Sequence, residues 1–185
     1  MTRSPGGRVI KSLLFATVSI SLIAFAITGT ATYADPIPKQ KFVCNTGYSM
    51  PDCIRQLSTL REALKLYHLE RLGEWTWVLV KSADWKPILL SRGLNPDSPA
   101  FTVPGKRQTF LEEALFVRVP NRSAELLRFW SVPLDKMLDL AITHELGHAA
   151  CNIQDEHLAD SFGRQLREGQ NPECVAAHNK SARSH

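Results

Sequence analysis

The sequence lacks internal repeats, low-complexity tracts and, beyond its first residues, any excess of positive charge. The first two absences exclude solenoid architectures and compositionally disordered chains. The formal net charge is +4, but three of the 22 lysines and arginines are Arg3, Arg8 and Lys11, and without them 19 bases face 18 acids. The body of the chain therefore shows no basic excess that would attract nucleic acid, and we expect no nucleic-acid partner.

The sequence also lacks an apolar run long enough to be an ordinary membrane-spanning helix. The uncharged run over residues 13–27 is short for that role. It follows the basic residues and precedes small residues that end at Ala34. This order predicts a secretory signal peptide over residues 1–34, with an uncleaved N-terminal anchor as the alternative. We therefore expect an exported protein, periplasmic or secreted, that contacts a membrane only if this segment is retained.

Cysteine is sparse, and all four cysteines lie after the predicted signal peptide: Cys44, Cys53, Cys151 and Cys174. An even number of cysteines in an exported chain predicts disulfides, and four cysteines allow three pairings. We favour the pairings Cys44–Cys53 and Cys151–Cys174 because each of them closes a local loop.

Periodicity and turn residues predict one domain over residues 54–185, after an irregular lead-in over residues 35–53 that a disulfide closes. The predicted elements are a helix over 54–72, a strand over 75–81, a short helix near 85–92, a loop over 95–99, a strand near 107–112, a helix from 134 to about 150 and a helix from 156 to about 167. Thr109 and Glu112 also fit a helical capping box, so a helix is the alternative for the second strand. This order predicts an α+β domain with a small β-sheet and a C-terminal helical hairpin. The four tryptophans are expected in its core: Trp75, Trp77, Trp85 and Trp130.

The motif His144-Glu145-Leu146-Gly147-His148 lies within the predicted helix that begins at residue 134. Residues four apart share one face of an α-helix, so His144 and His148 can present two imidazoles to one metal ion. Glu145 lies about 100° around the helix from His144, where it can reach a water at the metal without becoming a ligand.

A catalytic zinc site takes three protein ligands, and Glu156 is the expected third. A short turn would fold the last helix back and aim Glu156 at the metal. Asp160, one helical turn further on, can accept a hydrogen bond from a ligand histidine and fix its tautomer. Two other ligands remain open. Cys151 also falls on the metal face, although export favours its oxidation, and His157 is adjacent to Glu156 but should point elsewhere.

These residues resemble the zincin metallopeptidases, and within them the gluzincins, which pair HExxH with a glutamate on the next helix. The segment EHLAD at 156–160 is similar to the thermolysin-like members, in which an aspartate follows four residues after that glutamate. The short connection between the motifs is more similar to compact bacterial zincins with an HExGH core. Gln154 stands where a metzincin has its third histidine, which excludes that subclass.

The resemblance implies a compact zincin-like domain that holds one zinc ion through His144, His148 and Glu156. Glu145 would be the general base and Asp160 would support a ligand histidine. The implied activity is hydrolysis of protein or peptide substrates by an exported zinc peptidase. Substrate would add as a strand alongside the segment near 107–112, which is expected at the sheet edge.

Four residues are candidates for the group that stabilises the oxyanion: Tyr67, His68, Arg128 and His178. The main alternative function is a non-catalytic zincin-like binding module whose zinc is structural, with Cys151 as a natural fourth ligand. A membrane-tethered interaction protein without a metal is a third possibility.

Overall fold

The computed structural model describes residues 39–69, 72–172 and 174, so the predicted signal peptide lies outside the described residues. The described chain forms an α+β domain with one four-stranded sheet and five α-helices, which confirms the predicted fold class. In chain order the elements are β1 (Gln40–Cys44), α1 (Met50–Leu64), β2 (Trp75–Val80), α2 (Ser82–Ser91), β3 (Ala100–Val103), β4 (Gln108–Glu112), α3 (Pro120–Trp130), α4 (Leu134–Cys151) and α5 (Glu156–Arg167).

The strands are ordered β1-β2-β4-β3 across the sheet. Strands β1, β2 and β4 run parallel, and β3 pairs antiparallel with β4. The strand predicted near 107–112 is therefore confirmed as β4, but its expected place at the sheet edge is wrong. Strand β4 is paired on both sides, and the edge strand that packs against α4 is β3. A strand's position in the sheet depends on long-range pairing, which its own sequence does not encode.

Side chains on the two faces of the sheet enter two separate apolar cores. On one face, Trp75, Trp77 and Leu79 pack with the inward sides of α1 and α4. On the other, α2 places Trp85 and Leu89 over the sheet in a smaller cluster. Successive side chains of a strand point to opposite faces of the sheet. The face that carries Trp75, Trp77 and Leu79 is therefore the one that α4 covers.

The sequence predicted an irregular lead-in over residues 35–53, but part of this segment is a regular strand. Residues Gln40–Cys44 form β1, which pairs in parallel register with β2 and buries Phe42. Five residues with no strong strand pattern become a strand because a neighbouring strand supplies their hydrogen bonds. The disulfide that closes this segment, Cys44–Cys53, is present as predicted.

Helix α1 begins and ends earlier than the predicted span of 54–72. Ser49 caps its first turn by accepting a hydrogen bond from the Asp52 backbone N–H at 3.2 Å. After Leu64 the backbone hydrogen bonds change to the i to i−3 pattern of a tighter turn. The Tyr67 N–H, for example, donates to the Leu64 carbonyl oxygen at 3.1 Å. This tighter turn buries Tyr67, whose hydroxyl lies 2.5 Å from the Thr143 hydroxyl on α4. Helix α1 therefore ends before the apolar spacing of its sequence does, and the turn that follows it contacts α4 through Tyr67.

The sequence did not predict α3. Its last residue, Trp130, is also the one tryptophan for which the expected place in the core is wrong. Trp75, Trp77 and Trp85 are buried, whereas Trp130 is 44% exposed at the C-terminal end of α3. Its indole N–H donates to the Asp97 carbonyl oxygen at 3.0 Å. The indole N–H of Trp130 thus has a hydrogen-bond partner at the surface. The ring itself remains only partly buried.

Both predicted disulfides are confirmed: Cys44–Cys53 and Cys151–Cys174. They indicate an oxidising, extracellular-type compartment, as expected for an exported chain. Among the helices of the described residues, none combines the length and apolar character needed to cross a bilayer.

Candidate metal centre

The candidate site lies on the hairpin formed by α4 and α5. Asn152 ends α4 in the left-handed conformation with φ of 52°, a conformation that asparagine tolerates better than most residues. Asp155 then begins α5 by accepting a hydrogen bond from the Leu158 N–H at 2.9 Å. Only four residues separate the two helices, so α5 runs back along α4. The predicted turn, cap and second helix are therefore confirmed, and Glu156 is the first residue of α5.

Two glycines allow α4 and α5 to approach closely. A Cβ atom added at Gly147 would lie 1.9 Å from the carbonyl oxygen of Ala159. A Cβ atom added at Gly163 would lie 2.0 Å from the carbonyl oxygen of Thr143. Each helix thus presents a glycine to the backbone of the other. This close approach, which the sequence analysis missed, brings the acids of α5 within reach of the histidines of α4.

Three candidate ligand atoms converge between the two helices. The Nε2 atom of His144 lies 3.1 Å from Nε2 of His148 and 2.9 Å from a carboxylate oxygen of Glu156. The same Glu156 oxygen is 3.5 Å from Nε2 of His148. These three residues could hold a metal ion.

The other nitrogen of each imidazole is already hydrogen-bonded. His144 Nδ1–H donates to Asp160 at 2.7 Å, and His148 Nδ1–H donates to the Ile153 carbonyl oxygen at 3.0 Å. In its neutral form, each ring would therefore carry its proton on Nδ1 and turn an unprotonated Nε2 towards Glu156. The sequence placed Asp160 beside a ligand histidine, but it contained no signal for the Ile153 carbonyl.

The distances between the three atoms suit a small cation. Tetrahedral zinc with ligands at about 2.0–2.1 Å separates its ligand atoms by roughly 3.3 Å. The observed separations of 2.9, 3.1 and 3.5 Å bracket that value. Two bare imidazole nitrogens and a carboxylate oxygen also repel one another unless a cation or a proton lies between them.

The charge of the neighbouring acids acts on His144. Burial by itself would lower the pKa of His144, but the hydrogen bond with Asp160 and the negative charges of Glu145, Asp160 and Glu156 outweigh it, so the pKa is raised. The site therefore attracts positive charge at His144, whether a proton or a metal ion supplies it.

Glu145 occupies a different environment from Glu156. The Glu156 side chain is 72% exposed, whereas Glu145 is 4% exposed and its backbone carbonyl oxygen lies 3.4 Å from the Thr102 hydroxyl of strand β3. Burial raises the pKa of Glu145 to about 7, while a hydrogen bond from Thr102 and the nearby His144 lower it. Its Oε2 atom has no hydrogen-bond partner among the residues that the structure describes. A buried carboxyl group with a pKa near neutrality and a free oxygen is suited to accept a proton.

Other residues considered from the sequence are placed elsewhere or used otherwise. Cys151 is in a disulfide and cannot be a thiolate ligand. His157 is exposed and is not part of the group of candidate ligands. Arg128 is exposed on α3, and His178 lies outside the described residues.

Tyr67 and His68 lie on the far side of α4 from the candidate ligands. The Tyr67 hydroxyl is hydrogen-bonded with Thr143 and Asp139. Both residues line a cavity of about 130 Å³ together with Leu146 and Ala150 of α4. Leu146 is two residues from His144, which places this cavity roughly opposite the metal face of the helix.

The hydrogen bond from His144 to Asp160 gives a testable prediction. Replacing Asp160 with alanine is expected to weaken divalent-metal binding by about 10- to 100-fold, because the ring loses the partner that fixes its tautomer. Competition with a chromogenic chelator would measure the change. Asp135→Ala removes an exposed acid from the first turn of α4 and should leave the affinity unchanged. Equal losses in both variants would mean that the effect is one of overall charge.

Comparison of the chain with protein-family models, with curated proteins and with solved structures finds no match.

Proposed function

We propose that this protein is an exported zinc-dependent peptidase of a compact gluzincin-like type. One observation carries the proposal: two imidazole nitrogens of α4 and one carboxylate oxygen of α5 converge, and the residue that follows the first of these histidines, Glu145, is a buried acid outside this group. His144, His148 and Glu156 would hold the ion, and Asp160 would orient His144. The resemblance at the HELGH and EHLAD segments supports the choice of zinc.

A zinc ion bound at this site would supply Lewis acidity, which polarises a scissile carbonyl and lowers the pKa of water. Glu145 is held next to His144 but is not among the candidate ligands. It would accept the proton from the attacking water and deliver it to the leaving amine. The exposure of Glu156 and Asp160 leaves the site open to a polypeptide.

Strand β3, rather than β4, would carry the substrate. It is the sheet edge next to α4, and its Thr102 contacts Glu145. An extended peptide that pairs with the free side of β3 would gain backbone hydrogen bonds and pass the general base. The proposed substrate class is thus an extended segment of a protein or peptide.

The alternative of a non-catalytic module with structural zinc has less support. A structural zinc takes four protein ligands, and the disulfide with Cys174 removes Cys151 as the fourth. Within the described residues, the group of candidate ligands contains three members. A three-ligand site leaves a position for water.

The first test is the metal content of residues 35–185 produced in an oxidising compartment. We expect one zinc ion per chain, and we expect Glu156→Ala to lower the zinc content after dialysis, because two histidines hold the ion poorly. His157→Ala is the matched control, since it changes the adjacent exposed residue of the same helix. Absence of zinc from the parent protein, or its full retention by Glu156→Ala, would contradict the proposed site.

A further inference from the structure

The face of α4 that carries the candidate ligands continues towards the start of the helix. Leu140 lies four residues before His144, which places it one turn away on the same face. This face lies between the side of α4 that meets α5 at Thr143 and the side that contacts β3 at Glu145. Leu140 is 49% exposed, so the groove between α5 and β3 is still open one turn beyond His144.

Contacts along the hairpin determine which residue of α5 lies beside Leu140. Three of them set the register of the two helices: Gly147 with Ala159, Thr143 with Gly163, and Asp139 with Arg167. Four residues back along α4 therefore correspond to four residues forward along α5. His144 is paired with Asp160, so the corresponding pair one turn further along is Leu140 and Arg164.

Arg164 is a cation without a partner in this groove. Helices α4 and α5 carry one lysine and two arginines. Arg167 forms an ion pair with Asp139, and Lys136 lies 4.0 Å from Asp135. The Arg164 side chain is exposed and has no hydrogen bond or ion pair in the part of the chain that the structure describes.

The acids nearest to Arg164 on its own helix are used elsewhere. Asp160 lies one turn before it, and the Asp160 carboxylate accepts a hydrogen bond from His144. Glu168 lies one turn after it and accepts a hydrogen bond from the Gln170 amide at 3.3 Å. The guanidinium group of Arg164 is therefore available to a negative group from outside the domain.

Helix geometry gives the position of Arg164 relative to the proposed ion. With a rise of about 1.5 Å per residue, Arg164 lies about 6 Å along α5 beyond Asp160. An extended peptide advances about 3.3 Å per residue, so Arg164 is about two residues away from a carbonyl held at the ion. Closer to the ion, the carboxylates of Glu156 and Asp160 would repel a negative group of the substrate.

The chemistry of this place favours a carboxylate. The N–H donors of a guanidinium group match the two oxygens of a carboxylate, and such charge-assisted hydrogen bonds are stronger than neutral ones. Leu140 offers apolar surface beside Arg164 on which the methylene groups of a glutamate can pack. A lysine at the same place in the substrate would be repelled.

We propose that Arg164 is a specificity-determining residue, which binds a carboxylate of the substrate about two residues from the cleaved bond, beside Leu140. The assignment rests on the proposed peptidase function. The carboxylate is either the side chain of an acidic residue within the substrate or the free carboxylate at the end of its chain, and the experiments distinguish these two sources.

The first experiment uses quenched fluorogenic octapeptides of alanine and leucine with the zinc-loaded protein. One glutamate, or one glutamine, is moved along the peptide, and mass spectrometry locates the cleaved bond. We expect kcat/KM to be about 5- to 10-fold higher with glutamate than with glutamine when the acid lies about two residues from that bond. Arg164→Gln should bring this ratio to about 1. Lys41→Gln is the matched control, because it removes an exposed charge from β1 at the opposite edge of the sheet, and it should keep the parental ratio.

The second experiment reverses the charge and separates the two sources of carboxylate. Arg164→Glu should prefer lysine over glutamate at the same position of the octapeptide. Each peptide is also compared with a free and with an amidated C-terminus. A preference for internal glutamate in both forms would identify a side-chain carboxylate. Cleavage about two residues from a free C-terminus, lost on amidation, would identify the terminal carboxylate.

The third experiment measures binding without turnover. Fluorescence anisotropy of labelled glutamate and glutamine octapeptides is recorded with zinc-loaded Glu145→Gln and with the Glu145→Gln, Arg164→Gln double variant. We expect the glutamate peptide to bind about 5- to 10-fold more tightly to the first protein. The double variant should bind the two peptides equally.

The outcomes separate this inference from the proposed function. Hydrolysis by the parent with no preference for a carboxylate, or with a preference that Arg164→Gln retains, would overturn the role of Arg164 and leave the peptidase proposal standing. Equal binding of the two peptides to Glu145→Gln would overturn that role as well. Absence of hydrolysis of every peptide by the zinc-loaded parent would overturn the peptidase proposal and, with it, the specificity role.

Discussion

Replacing Glu145 with glutamine is expected to leave zinc binding intact and to lower kcat for peptide hydrolysis by about 10²- to 10⁴-fold. Glutamine has nearly the same shape as glutamate but cannot accept a proton from water. Glu145 is buried next to His144 and lies outside the group of candidate ligands, so its removal should not disturb the metal. The measurement is kcat with zinc content determined on the same samples.

The control is Asp135→Asn, which neutralises an exposed acid in the first turn of the same helix. We expect its kcat and zinc content to match those of the parent. Turnover by Glu145→Gln at the parental rate would contradict the role of general base and favour a binding function for the metal site. Loss of zinc by Glu145→Gln would instead indicate that Glu145 is a ligand.

Replacing Gly147 with alanine is expected to destabilise the protein by at least about 2 kcal/mol and to weaken zinc binding by 10-fold or more. Alanine is the better helix former, and at a helical glycine its propensity alone would stabilise by roughly 1 kcal/mol. Packing predicts the opposite sign, because the new Cβ atom would lie 1.9 Å from the Ala159 carbonyl oxygen. Helix α5 must then move away from α4, and Glu156 moves with it.

Thermal or urea unfolding of the chelated protein would measure the first effect, and chelator competition would measure the second. Gly163→Ala should behave in the same way, since its Cβ atom would meet the Thr143 carbonyl oxygen. Gly105→Ala is the control, because a Cβ atom there meets nothing within 4 Å and the backbone φ is not positive. A Gly147→Ala protein as stable as Gly105→Ala, with parental zinc affinity, would show that the close approach of α4 and α5 is not needed.

Several features could be predicted because their signals are local. The spacing of His144 and His148 places them on one face of a helix. Asp155 marks the start of the next helix, where its side chain accepts a hydrogen bond from the N–H of Leu158, three residues further along the chain. The two disulfides each close a short segment of chain. In each case the interacting groups are close in sequence, so helical geometry or loop length decides the outcome.

Helix α3 is a different case, because it was not predicted although the sequence contains a local signal for it. Pro120 occupies its first turn, and Leu126 is buried on its inner face. Proline at the start of a helix is a recognised signal. The exposure of Trp130 could not be predicted in the same way, because it depends on how the end of α3 lies on the domain.

The sequence by itself determined the α+β order and the helical hairpin, and it favoured the disulfide pairs and the three candidate metal ligands over their alternatives. Only the tertiary structure decided that β3 rather than β4 forms the edge next to α4, that β1 joins the sheet and that α1 ends at Leu64. It also decided that Gly147 meets Ala159 and that Thr102 reaches Glu145. Each of these depends on contacts between residues far apart in the chain, where pairing and packing override the local preference of the segment.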